Sequence, residues 1–266
     1  MTTIRAALVI QTCVAGDFER NLDSTLDTIS IAAGLKADIL VFPEMNLTGY
    51  APADVSIARS IKPDWLGQIS CAASKYNMAI LAGLLERASD NKVYATHLVI
   101  RPGYDPGFYR KIHLSPFEAP YFTPGNSVKV FKFKKACFGI QLCYDAHFPE
   151  LATAMALKKV DMIFIPHASP RTSPEEKFLS WMRHLPARAF DNGVFVAAVN
   201  QTGENGRGLE FPGLALAIGP DGHLMSKKMG NKPGIHMVEM DLSAITRVRS
   251  HKMRYFLPNR RPDLIE

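Results

Sequence analysis

Ala136-Cys137-Phe138-Gly139-Ile140-Gln141-Leu142-Cys143-Tyr144-Asp145-Ala146-His147-Phe148-Pro149-Glu150 reads as a strand, an elbow and a helix start in one continuous stretch. Its first seven residues are mostly apolar, the pattern of a buried strand. Pro149 suits a first helical position, where its missing N–H is not needed, and Glu150 suits the first turn. Leu151, Ala154, Met155 and Leu157 carry the helix onward. A thiol at such an elbow is expected to face the positive end of the helix dipole, which favours thiolate over thiol. Cys143 is therefore the candidate nucleophile.

Outward from this stretch, short apolar segments alternate with helical ones. Residues 4–10, 38–42, 93–101, 107–111, 128–133, 161–165 and 194–199 read as strands, and 78–85 is a further apolar run. Asp17 is placed to cap a helix with Phe18, Leu22, Leu26, Ile29 and Ala33 on one face. Helices are expected at 64–76 and near 174–191. A hairpin is expected from 213–218 and 223–226 across Gly219-Pro220-Asp221-Gly222. With no linker-like tract and no internal repeat, a single mixed α/β domain over 1–266 fits, with a C-terminal docking tail at about 244–266.

The chain has 266 residues, 47% hydrophobic and 21% charged, which is enough for a large core. No apolar run approaches the roughly 18 residues that span a membrane, and the N-terminus shows no signal-peptide pattern. Four cysteines without paired short spacing make no disulfide framework, so a cytoplasmic protein with reduced thiols is expected. Cys13, Cys71 and Cys137 read as buried core thiols. The net charge is +6, and residues 244–266 hold six cations against two acids. That tail lacks the interleaved aromatics of a nucleic-acid platform and includes Leu257-Pro258, so docking on its own or a neighbouring subunit is the reading.

Three segments place a charged or nucleophilic residue just past a strand end: Val41-Phe42-Pro43-Glu44, Tyr109-Arg110-Lys111-Ile112-His113-Leu114 and Leu142-Cys143-Tyr144-Asp145. Strand ends are where α/β folds gather catalytic groups. Acyl transfer by a thiol needs a nucleophile, a base and positive charge for the oxyanion. Cys, Glu and Lys suit those roles. Taken singly, each has a bland reading, as a core thiol, a helix-initiating carboxylate and a solvated strand-end charge. A metal cluster of Cys143, Asp145, His147 and His167 would offer one thiolate with non-motif spacing, a weak zinc pattern.

With these segments, Gly49-Tyr50, Phe148-Pro149-Glu150, Ala187-Arg188-Ala189-Phe190-Asp191-Asn192, Asn200, Gly219-Pro220-Asp221-Gly222 and Arg260-Arg261-Pro262 occur in an order that resembles the nitrilase (carbon–nitrogen hydrolase) superfamily. The resemblance covers nearly the whole chain. It implies a four-layer α-β-β-α sandwich, usually assembled into homodimers or larger homo-oligomers. It further implies Glu44 as general base, Lys111 as oxyanion stabiliser, Cys143 as nucleophile and Glu118 as a second active-site glutamate. The N–H of Tyr144 would be the second oxyanion donor, with His113 and His147 supporting the site through hydrogen bonds.

Departures from the family's branches narrow the substrate. Nitrilases usually follow the cysteine with Trp-Glu, whereas Tyr144-Asp145 stands here, as in amide-hydrolysing branches. Carbamoyl-D-amino-acid hydrolases carry two arginines where this chain has Ala146 and His147. In His167-Ala168-Ser169-Pro170-Arg171-Thr172, a loop that borders the pocket in the family, His167 and Arg171 are candidate substrate-binding residues. The expectation is an amidase-type hydrolase of a small linear amide or carbamoyl compound, with no metal, organic cofactor, nucleic acid or membrane partner. Nitrile hydrolysis by the same triad is the alternative. A thiol redox protein is the rival of another class, but no cysteine stands near Cys143 as a resolving partner, and Glu44 and Lys111 would have no task.

Overall fold

The first strand sets the layering. In β1 (Thr3–Ile10), Ile4, Ala6, Leu8 and Ile10 alternate with Ala7 and Val9, and the two sets join different hydrophobic clusters. Successive side chains of a strand point to opposite faces, so β1 is covered on both sides. A computed structural model describes residues 3–170 and 172–264 of the chain. Its first half continues with α1 (Phe18–Gly34), β2 (Ile39–Val41), α2 (Pro63–Tyr76), β3 (Ala79–Arg87), β4 (Val93–Ile100) and β5 (Gly107–Arg110). Asp17 caps α1 by accepting the Arg20 N–H at 3.3 Å. Phe18, Leu22 and Ile29 of α1 and Trp65 and Ile69 of α2 pack onto Val9, Leu40 and Ile80. Each large side chain so buried contributes about 1.5–3 kcal/mol.

The second half repeats the plan. It runs β6 (Val130–Phe133), β7 (Ala136–Ile140), α3 (Pro149–Leu157), β8 (Met162–His167), α4 (Pro174–Met182), α5 (Leu185–Asn192) and β9 (Phe195–Asn200). The short hairpin β10 (Gly203–Glu204) and β11 (Glu210–Phe211) follows, then β12 (Leu214–Ile218) and β13 (Leu224–Met229). Last, β14 (Gly234–Asp241) returns to the first sheet and α6 (Ser243–Arg249) follows it. The sheets are ordered β14-β1-β2-β3-β4-β5 and β13-β12-β9-β8-β7-β6. In each, three adjacent strands run parallel (β1, β2, β3 and β7, β8, β9) between antiparallel flanks.

The sheets face each other through one core that joins Ile4 and Leu8 to Ile163, Ile165, Val196 and Leu216. Outside the second sheet, α3 lies so close to β7 that a Cβ on Gly139 would meet the Met155 sulfur at 2.6 Å. The result is the expected four-layer α-β-β-α sandwich of the nitrilase type.

Three details depart from the sequence reading. The helix expected near 174–191 is two, α4 and α5, because the ring of Pro186 would clash with the carbonyl of Met182 in a continuous helix. Strand β14 is not among the expected strands. It lies at a sheet edge, and its apolar–polar alternation slips phase where Met237 and Val238 stand side by side. Cys71 is exposed, on the face of α2 away from Trp65, Ile69 and Ala73, while Cys13 is buried and Cys137 partly so. Parts of the tail touch their own chain, while most side chains of 250–264 are exposed. Leu257 is buried, Tyr255 packs against the core, and Arg249 donates to the carbonyls of Val160 at 2.6 Å and Gly193 at 3.2 Å. Among the described residues no helix is long and apolar enough to cross a membrane.

Candidate active site

Glu44 sits three residues beyond β2, on a chain held down by its neighbours' side chains. Asn46 accepts the Gly83 N–H at 2.7 Å and Thr48 accepts the Leu85 N–H at 2.9 Å, so polar side chains continue the ladder that β2 has left. Gly49 then turns with φ +72°, and a Cβ there would lie 2.4 Å from the Ala15 Cα. Only glycine fits that turn. The Gln201 amide donates to the Glu44 carbonyl at 2.8 Å and fixes the residue from the opposite sheet.

Lys111 follows β5 directly. Its N–H donates to Ala95 O at 2.9 Å and its carbonyl accepts the Gly125 N–H at 2.7 Å. Glu118 stands in a turn closed on itself, with the Ser115 N–H donating to Glu118 Oε2 at 2.8 Å. Lys111 Nζ donates to Glu44 Oε1 at 2.9 Å and to Glu118 Oε1 at 2.8 Å. Tyr50 adds its hydroxyl to the same Glu118 oxygen at 3.4 Å. All three charged groups are about 1% exposed. An unpaired charge at that depth costs several kcal/mol, which the shared ammonium offsets.

Cys143 ends the β7 elbow with φ +43°, a left-handed backbone that a cysteine adopts only under constraint. Two residues supply the constraint. The fully buried Asp145 accepts the Leu142 N–H at 3.0 Å, the Tyr109 hydroxyl at 2.8 Å and the His113 N–H at 2.8 Å, with the His113 ring Nδ1 at 2.9 Å. Tyr109 and His113 flank Lys111 two residues either side, so Asp145 ties the Lys111 strand end to the Cys143 elbow. From the other side, Arg188 donates to the carbonyls of Ala146 at 3.0 Å and His147 at 3.1 Å.

The electrostatics reverse one expectation. A short 3-10 turn, residues 143–147, separates Cys143 from α3, and the thiol is not lowered. Burial, then the charge of Glu44, push it up to about 12. Burial also raises Glu44 to about 7, with Lys111 opposing and Glu118 adding to the rise. Burial alone would lower Lys111, but Glu44 and Glu118 hold it well above the usual lysine value. The resting site thus pairs a neutral thiol with a carboxyl that titrates near neutrality.

These groups meet at a cavity of about 420 Å³ whose wall includes Lys111, Glu118, Cys143, Tyr144, His147 and Ser169. Pro52, Pro116, Phe117 and Leu209 give it apolar surface. Glu44 stands behind Lys111, its Oε2 accepting the Ala168 N–H at 3.1 Å. His167 is placed differently from its sequence reading as a substrate-binding residue. Its Nδ1 is 2.8 Å from Ile165 O, and its ring lies 4.3 Å from that of Trp181, behind the wall. Burial holds its pKa well below the usual histidine value, so it is neutral. Arg171 lies outside the described residues.

Among the described residues no three His, Cys, Asp or Glu side chains are grouped to hold a metal ion. Asp145, in the alternative cluster, is committed to Tyr109, His113 and Leu142. Three contributors escaped the sequence reading in their present roles: Tyr50, Asp145 and Arg188. All three lie inside the quoted motifs, which was the available signal.

Residues 5–250 match the model of the carbon–nitrogen hydrolase family. The chain belongs to that family. Among its relatives, the hydrolase is 28% identical to an (R)-stereoselective amidase of Pseudomonas sp over 88% of this chain and 84% of the relative. It is 28% identical to a nitrilase of Pyrococcus abyssi over 92% of each. Among solved structures, it matches a cysteine-to-alanine mutant of the amidase from Nesterenkonia sp. AN1 in complex with butyramide. That match has a TM-score of 0.83 and 25% identity, and covers 98% of this chain and 95% of the other. The site described above is therefore the candidate active site of a carbon–nitrogen hydrolase.

Proposed function

We propose that this carbon–nitrogen hydrolase is an amidase, cleaving the non-peptide C–N bond of a small linear amide or carbamoyl compound through a thioester on Cys143. The observation that carries the reading is the buried Lys111 ammonium, held between Glu44 and Glu118 on the wall of the cavity that also holds Cys143. Glu44 accepts the Cys143 proton. Because the thiol is raised to about 12 and Glu44 only to about 7, the proton leaves as sulfur attacks rather than beforehand. The oxyanion that forms is stabilised by Lys111 and the Tyr144 N–H. Glu44 returns the proton to the leaving nitrogen, ammonia or an amine departs, and the thioester remains. Water, deprotonated by Glu44, then releases the acid and restores the thiol. Glu118 orients the substrate nitrogen by accepting its N–H.

Tyr144-Asp145 in place of Trp-Glu supports amides over nitriles. An amide forms an oxyanion for Lys111 to hold, whereas a nitrile first gives a nitrogen anion. The test is kcat/KM for matched pairs of one acyl group as primary amide and as nitrile. The amide is expected to be preferred, and a nitrile preferred about tenfold or more would overturn the assignment.

A further inference from the structure

The outer face of the first sheet carries a second pocket, separate from the cavity that holds Cys143. On β5, Tyr109 turns into the core between the sheets, so Phe108 and Arg110 turn outward. There they border a cavity of about 190 Å³ with Tyr94 of β4 and with Asn126, Ser127 and Lys129 of the following segment. Gly125 lets that segment approach. Its N–H donates to Lys111 O at 2.7 Å, and a Cβ there would overlap the Arg110 carbonyl.

The two cations of this pocket are partnered differently. Arg110 donates from Nε and Nη2 to Glu86 Oε2 and Oε1, at 2.8 and 2.7 Å, and its Cζ lies 3.8 Å from the centre of the Tyr94 ring. Glu86 also accepts the Thr96 hydroxyl at 2.6 Å, so that carboxylate is committed. Lys129 Nζ lies 3.8 Å from the centre of the Phe108 ring and makes no hydrogen bond or ion pair among the described residues. A ring face orients an ammonium without neutralising it. The Asn126 and Ser127 side chains likewise have no hydrogen-bond partner among the described residues.

We propose that this pocket binds a phosphate-type oxyanion, held by Lys129, Arg110 Nη1 and the Asn126 and Ser127 side chains. One carboxylate faces two cations here, and the nearby Asp90 is paired with Lys92 at 3.0 Å, so the pocket is left positive. Burial, then the Arg110 charge, pull Lys129 below the usual lysine value, with Glu86 opposing. An anion between the two cations would replace that repulsion with attraction. Arg110 commits its planar fork to Glu86, which denies a ligand carboxylate bidentate recognition. The lysine that remains is a point charge, which a tetrahedral phosphate can meet from any side. Drug-sized ligands fill roughly 300–1,000 Å³, so a cavity of about 190 Å³ suits an ion rather than a nucleotide.

The test is calorimetric titration of the purified full chain with inorganic phosphate at constant ionic strength, beside glycerol phosphate and succinate. Phosphate is expected to bind saturably at one site, with succinate about tenfold or more weaker. Glycerol phosphate bound as tightly as the free ion assigns the site to phosphate esters, and weaker binding assigns it to the free ion; either result supports the proposal. In K129M phosphate affinity should fall about tenfold or more, as for a lost charge-assisted hydrogen bond, with the ligand-free melting temperature retained. If K129M melts well below the wild type, the N126A/S127A double variant, altered only at exposed side chains, replaces it and should lose about threefold or more. Phosphate should also slow amide hydrogen exchange over 124–129 in the wild type and not in the variant. The cations of 244–266 are the competing site: affinity unchanged in the variant would place the ion there and overturn the proposal. So would succinate bound as tightly as phosphate, or no saturable binding at all.

Discussion

The two halves of the sandwich share a plan yet bring opposite things to the cavity. The first half supplies charge: Glu44 after β2, Lys111 after β5 and Glu118 in the turn beyond, all buried and hydrogen-bonded. The second half supplies Cys143, which is neutral at rest and held by backbone constraint at φ +43°. One side is an array of groups locked before any substrate arrives. The other is a thiol that the proposed mechanism charges only during reaction. The difference teaches why the halves must be registered to each other, and Asp145 performs that task. It accepts from Tyr109 and His113 in one half and from Leu142 in the other.

Removing the fixed positive charge should break the comparison most sharply. Lys111→Met leaves the thiol in place but withdraws the ammonium from a charge that exists only on the tetrahedral intermediate. Loss of one such donor costs about 3–4 kcal/mol, or ~10²–10³ in rate. The loss should fall on kcat in steady-state amide hydrolysis; a change confined to KM would make Lys111 a binding residue.

A smaller and graded effect tests the proton that the proposed mechanism passes between the halves. Burial raises Glu44 to about 7, so its base form is fully present only above that pH and is lost as pH falls through it. For a neutral amide, kcat/KM should therefore fall about tenfold per pH unit below about 7. A profile flat to pH 5 would place the base elsewhere.

Much of this was legible in the sequence. The strand–elbow–helix pattern located Cys143, and the strand-end motifs located Glu44 and Lys111, because chemistry and local structure share a few contiguous residues. The structure brings these three together with Glu118. What stayed hidden depends on distant parts of the chain. The elevated thiol pKa is set by burial and by Glu44, 99 positions away in sequence. His167 looked like a pocket residue because its loop borders the cavity, but the end of β8 turns its ring toward Trp181. The edge strand β14 has too weak an alternation to be seen without β1 beside it.

The most direct test is ammonia release by Cys143→Ala from an amide that the wild type hydrolyses, measured beside the melting temperature of both proteins. The substitution removes one sulfur and leaves Asp145 and Arg188 to hold the elbow. Turnover should drop by roughly a thousandfold or more, with the melting temperature retained, as expected for loss of a nucleophile. Activity within about tenfold of wild type at an unchanged melting temperature would contradict thioester catalysis by Cys143.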